Sequence, residues 1–165
     1  MEILELRDLT AQSAPGQYLL SDQAIQELLT LMQELDPTIA VTPEMLRAAA
    51  GSPDTHIFVA VEGNHIIGTA SLCITHSPTG TKAGIEDVVV SSACRGRGLG
   101  RQLLEHILVF AEEKLLPENP AGIELHLTSR PSREAANQLY RSLSFKQHDT
   151  NVYKLQLRQR LSSGK

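Results

Sequence analysis

Ile85-Glu86-Asp87-Val88-Val89-Val90 is an apolar run interrupted by one acidic pair, and Ser91-Ser92-Ala93-Cys94-Arg95-Gly96-Arg97-Gly98-Leu99-Gly100-Arg101 follows it directly. The first part reads as a strand buried on both faces. The second reads as a glycine-rich turn that opens a helix. Gly96, Gly98 and Gly100 carry no Cβ, so backbone N–H groups can come close to a ligand there. The first N–H groups of a helix have no partner inside it, and with the helix dipole they suit phosphate oxygens. Arg95, Arg97 and Arg101 crowd the positive end of this helix, and Glu112 and Glu113 stand towards its negative end. Helix stability favours the opposite placement by about 0.3–1 kcal/mol per charge. A bound polyanion would account for the inversion; the alternative is a solvated helix start. Other phosphate motifs fit less well. There is no G-x-x-x-x-G-K-[ST] run, and Gly96-x-Gly98-x-Gly100 is not the dinucleotide spacing G-x-G-x-x-G.

Working outward, the helix runs from about Gly98 to Leu116, with Leu99, Leu103, Leu104, Ile107, Leu108 and Ala111 on one face. Pro117 and Pro120 stop it. Ile123, Leu125 and Leu127 alternate along a strand, residues 132–143 form a helix, and 152–157 form a last strand. Upstream, residues near 2–8 read as a short strand. Ser21 caps a helix marked by Ile25, Leu28, Leu29 and Met32, and Thr42-Pro43 opens a shorter one. Strands at 56–62 and 65–75 flank a tight Gly63-Asn64 connection, and Ser77-Pro78-Thr79-Gly80 is a loop. The expected fold is α/β (α+β), a mixed central sheet of six to seven strands with about four helices.

The chain has 165 residues, which suit one domain, here expected over 1–157 with a fraying polar tail at 158–165. A net charge of -4 argues against non-specific nucleic-acid binding, although an acidic surface would attract a cationic substrate. The two cysteines, Cys73 and Cys94, lack C-x-x-C spacing, and no signal peptide or membrane-length apolar run stands out, so a reducing cytoplasm is the expected setting. The six histidines show no H-x-x-x-H or H-E-x-x-H spacing, and no metal is expected.

Arg95-Gly96-Arg97-Gly98-Leu99-Gly100 matches the R/Q-x-x-G-x-G/A signature of the GCN5-related N-acetyltransferase (GNAT) superfamily, which this chain resembles over about residues 3–157. Ile85 to Val90 looks like that superfamily's central cofactor strand, and Asn137 to Phe145 is similar to its N-x-x-x-Y-x-x-x-G-F helix end. Ser144 stands where the glycine is common, and Ser91-Ser92-Ala93-Cys94 replaces a frequent Asp-Pro-x-Tyr/Phe run. The resemblance implies a mostly antiparallel sheet and acetyl-CoA as acyl donor, lying between the strands at 85–90 and 123–128. It implies that Val88, Val89 and Val90 flank the pantetheine, that residues from Arg95 to Arg101 wrap the pyrophosphate, and that Asn137 and Tyr140 touch the pantetheine arm. A homodimer is consistent with it.

Acyl transfer to an amine needs a base, donors for the oxyanion and an acid for the leaving thiolate. Tyr140 is the candidate acid, or else a packing residue. Glu86 is the candidate base through water. Asp87, expected on the opposite side of the strand, is the alternative base or a substrate contact. Thr128 and Ser129, with Arg130 beside them, are candidates for the acceptor side, or they simply cap the next helix. Cys94 has no patterned base near it. The expected reaction is direct acetyl transfer to a primary amine of an amino sugar, a small amine or amino acid, or a protein. A non-catalytic acyl-CoA sensor and a nucleotide-dependent oxidoreductase are the competing readings.

Overall fold

The computed structural model describes residues 1–9, 11–14 and 17–157, with only the backbone described at 11–14 and 17–19. The expected tail at 158–165 lies outside the described residues. The chain divides into two compact units, Met1–Arg130 and Pro131–Lys165.

The first unit is built on a five-stranded sheet in the order β1-β4-β5-β6-β7. The strands are β1 (Glu2–Glu5), β4 (Thr55–Glu62), β5 (His65–Ser77), β6 (Gly80–Val90) and β7 (Glu124–His126). Pairing is antiparallel except between β6 and β7, which run parallel. The mixed, mostly antiparallel sheet agrees with expectation, but its strand count does not. Two strands, β2 (Ala11–Ala14) and β3 (Gln17–Leu19), form a separate hairpin. The expected strand at 152–157 is absent, and Val152, Tyr153, Leu155 and Leu157 are exposed. Alternating apolar residues favour extended backbone, but a strand exists only where a neighbour supplies the ladder. Residues 77–80 are a hairpin turn rather than an open loop: Ser77 pairs with Gly80, whose φ is +121°.

Two helices cover one face of the sheet. In α1 (Asp22–Leu35) Ser21 accepts from the Ala24 amide at 3.1 Å, and Ile25, Leu28, Leu31 and Met32 are buried. In α2 (Pro43–Gly51) Thr42 accepts from the Met45 amide, and Leu46 and Ala50 are buried. These side chains share one core with Ile57, Val59, Ile66 and Val89 of the sheet. The opposite face meets α3 (Leu99–Phe110), whose Leu103, Leu104 and Ile107 are fully buried. There Phe58 stacks edge-on with Phe110 and His106. Gly68 lets α3 come close, since a Cβ there would stand 3.4 Å from Leu103 and 3.2 Å from the Val89 carbonyl. The expected helix end near Leu116 is reached through a π-helical turn, Ala111–Leu115.

The second unit contains α4 (Glu134–Ser142). Its end explains the serine that stands where glycine is common. The Phe145 amide bonds the Tyr140 carbonyl and the Ser144 amide bonds the Arg141 carbonyl, which is the Schellman pattern. That pattern places residue 144 in the left-handed region, and Ser144 has φ +69°.

Among the described residues no helix is long and apolar enough to cross a membrane.

Candidate active site

The site begins where β6 and β7 part. Lys82, Ala83 and Gly84 pair with Glu124, Leu125 and His126, and the ladder ends there. β6 continues to Val90, so its edge from Ile85 onward has no strand beside it among the described residues. Free N–H and C=O groups on such an edge can pair with an extended ligand.

A β-bulge shapes this edge. Ser71 stands opposite Glu86 and Thr69 opposite Val89, so Asp87 and Val88 together face Ala70. Asp87 takes the strain with φ +53°. The bulge breaks the two-residue period beyond Asp87, so that Val89 falls on the same face as Glu86. The structure corrects the reading of 85–90 as buried on both faces: Ile85 and Val89 are buried, but Glu86 and Asp87 are exposed. Although Asp87 as a residue is exposed, its carboxyl lies among protein atoms, and that desolvation raises its pKa above the ordinary value.

The glycine turn follows. Gly96 and Gly98 both have φ +77°, and Gly98 stands at the N-cap of α3 with no side-chain cap. A Cβ at Gly96 would meet nothing within 4 Å, so its glycine answers a backbone need rather than a packing one. Leu99 anchors the helix start in the core, at 3% exposure, while Gly100 and Arg101 are half-buried.

The arginines are engaged differently from the sequence reading. Arg95 donates to Glu34 of α1 at 3.1 Å and to the Val90 carbonyl at 3.0 Å, and Glu34 also accepts from the Ser92 amide at 2.7 Å. Arg97 forms a two-point pair with Glu62, and Arg101 pairs with Glu105 at 3.3 Å. Carboxylates, two of them distant in sequence, therefore already balance the charge that seemed to require a polyanion.

At the end of β7, Thr128 is exposed and Ser129 is half-buried. The Ser129 hydroxyl is the one buried side-chain polar atom without a hydrogen-bond partner among the described residues. Arg130 reaches Asp36, after α1, at 3.3 Å. In the second unit, Asn137 and Tyr140 are half-buried on α4, and the Tyr140 ring meets Phe145 edge-on at 6.3 Å. Burial pushes the Tyr140 hydroxyl's pKa up, against a smaller opposing pull from Arg133, so the group stays protonated at neutral pH.

The sequence reading missed His126. It was weighed only for metal spacing, yet it ends a parallel strand, the kind of place where open sheets bind ligands. A Cβ on Gly84 would lie 3.3 Å from His126 Nε2 and 3.5 Å from Glu86 Oε1. The missing side chain is what lets the two groups converge.

A sequence profile of the acetyltransferase (GNAT) family matches residues 22–145. The chain belongs to that family. It is 29% identical over 103 residues to the N-alpha-acetyltransferase RimI of Mycobacterium tuberculosis, a match spanning 62% of this chain and 60% of that protein's length. A provisionally assigned acetyltransferase from Agrobacterium tumefaciens str. C58 is 28% identical with TM-score 0.69, over 96% of this chain and 100% of the other. The glucosamine-6-phosphate N-acetyltransferase of Arabidopsis thaliana shares the fold at 22% identity and TM-score 0.62, over 79% of this chain and 92% of that one.

Proposed function

We propose that this chain transfers the acetyl group of acetyl-CoA directly to a primary amine within a ternary complex, as one catalytic domain over residues 1–157. The observation that carries the reading is the unpaired β6 edge running into the glycine turn. Such an edge suits the amide groups of pantetheine, with Val88, Val89 and Val90 beside it. The outward N–H groups from Gly96 to Arg101 suit the pyrophosphate. The Arg95 and Arg97 guanidinium groups are exposed, and the exposed Arg97–Glu62 pair in particular can exchange partners at little cost. Asn137 contacts the pantetheine arm.

The reaction releases one proton overall. The acceptor ammonium loses a proton, its nitrogen attacks the thioester carbon, and the C–S bond breaks as the tetrahedral intermediate collapses. Glu86 draws off the first proton through water. Tyr140 protonates the departing sulfur and is reprotonated from the amine nitrogen's second proton. Asp87, Thr128 and Ser129 contact the acceptor. The acceptor is an amino sugar, a small amine or amino acid, or a protein amine; an N-alpha-acetyltransferase and a glucosamine-6-phosphate N-acetyltransferase are among the similar proteins. The setting is the cytoplasm, and no metal takes part.

Calorimetry with acetyl-CoA, followed by a thiol-release assay, tests the proposal. The acceptors are a peptide with a free N-terminus, glucosamine 6-phosphate and the aminoglycoside sisomicin. Heat of binding and thiol release with at least one acceptor are expected. No heat at saturating acetyl-CoA would overturn the reading. Binding without release on any amine would instead favour the acyl-CoA sensor.

A further inference from the structure

The first unit holds five histidines, at 56, 65, 76, 106 and 126. Four are engaged elsewhere. His56 bonds Glu5 at 3.0 Å, His65 bonds Glu27 at 2.7 Å, His76 lies 3.7 Å from Asp54, and His106 meets the Phe58 ring. His126 has no hydrogen-bond or ion-pair partner among the described residues, and neither has Glu86.

These two side chains come from different strands and reach the same point. Gly84 and Glu86 are two residues apart on β6 and so share a face. Gly84 pairs with His126 across the parallel ladder at the last rung before the strands part. Since Nε2 and Oε1 lie 3.3 and 3.5 Å from one Cβ position, they are no further apart than the sum of those distances. One or two waters can span such a gap. Any side chain at position 84 would crowd both of them.

The chemistry gives this pairing a use. An ordinary carboxylate titrates near about 4.3 and an ordinary imidazole near about 6.5, so an imidazole is the stronger base by roughly two powers of ten. Its working range is also closer to neutral pH. A carboxylate attracts an ammonium group well but holds its proton poorly.

We propose that His126 is a second catalytic base of the acetyl transfer, receiving at Nε2 the proton that Glu86 draws from the acceptor ammonium. The inference rests on the acetyl-transfer reading. The N–H bond of the ammonium breaks, its electron pair stays on nitrogen and forms the bond to the thioester carbon, and the proton ends on the imidazole. His126 is exposed, so its imidazolium returns that proton to bulk water before the next cycle.

Chemical rescue tests the assignment. His126→Ala lowers thiol release by about tenfold or more, while acetyl-CoA binds with wild-type heat. Free imidazole added to the assay restores at least half of the lost rate, and sodium chloride at the same concentration does not. If His126→Ala fails to bind acetyl-CoA, His126→Gln replaces it, with the same expected loss and no imidazole-dependent recovery beyond that of wild type. Undiminished turnover in a folded variant overturns the second base while leaving acetyl transfer standing. So does a loss in His126→Ala that imidazole leaves untouched. Wild-type protein that releases no thiol with any of the three acceptors overturns the acetyl-transfer reading, and the second base with it.

Discussion

Two groups of ionisable side chains stand on the same sheet and are held in opposite ways. Near the β1 edge, Glu5 pairs with His56 at 3.0 Å and with Arg7 at 3.5 Å. Arg7 in turn donates to the carbonyls of Ala50, Ser52 and Thr55, tying the end of α2 to β4. Burial alone would raise the Glu5 pKa, but His56 and Arg7 outweigh it and hold the carboxyl below its ordinary value. Where β6 and β7 part, Glu86, Asp87 and His126 have no such partners among the described residues, and desolvation raises the Asp87 pKa unopposed. The contrast separates charge that fastens elements from charge that fastens none. Desolvating an ionised group costs free energy, which the first cluster offsets and the second does not.

Five substitutions, one of them a control, would break or sharpen this contrast. The largest effect falls at the free cluster: Glu86→Gln is expected to lower turnover by about 10²–10⁴-fold, the range for a lost general base. Acetyl-CoA binding and the melting temperature stay near wild type. Wild-type turnover would erase the distinction. At the fastened cluster the effect moves to stability. Arg7→Met leaves three carbonyls without their charged donor and should cost about 2–3 kcal/mol in urea unfolding, with turnover per folded molecule unchanged. Ser144→Gly touches neither cluster and is the control. It relieves the left-handed serine and should stabilise by about 1 kcal/mol.

The smallest effects carry opposite signs. The Glu5 carboxyl titrates lower in the fold than in the unfolded chain, so its stabilisation is present above the unfolded value and lost as pH falls through the folded one. Glu5→Gln therefore melts below wild type at pH 7, and the gap closes in acid. The Asp87 carboxyl titrates higher in the fold, so it destabilises at neutral pH and ceases to do so below the ordinary Asp value of about 3.9. Asp87→Asn, which also tolerates positive φ, should melt no more than about 3 °C above wild type at pH 7. Thermal melts at pH 7 and at pH 3.5 read both, and the same sign for the two substitutions would refute the contrast.

Local patterns carried much of the fold. Ser21 and Thr42 announced their helices because a capping hydroxyl acts over three residues, and Gly63-Asn64 announced its hairpin because the turn needs φ +62°. The glycine turn was legible for the same reason. The arginines beside it were misread, since Glu34 and Glu62 lie 61 and 35 residues away in the chain. His126 escaped notice because its significance depends on which strand lies beside it and on the residue that strand leaves small.

Taken alone, the order of residues determined what acts over a few positions: the helix starts, the tight turns, the apolar faces and the run from Ile85 to Arg101 with its signature. Tertiary structure decided what depends on neighbours distant in sequence. It set where the β6–β7 ladder ends, turned Asp87 into a bulge, left 152–157 outside any sheet and brought Glu86 towards His126. The physical reason is one of range. Dihedral preference and capping are properties of a short segment, whereas ladder pairing and the balance of charge require two segments to meet.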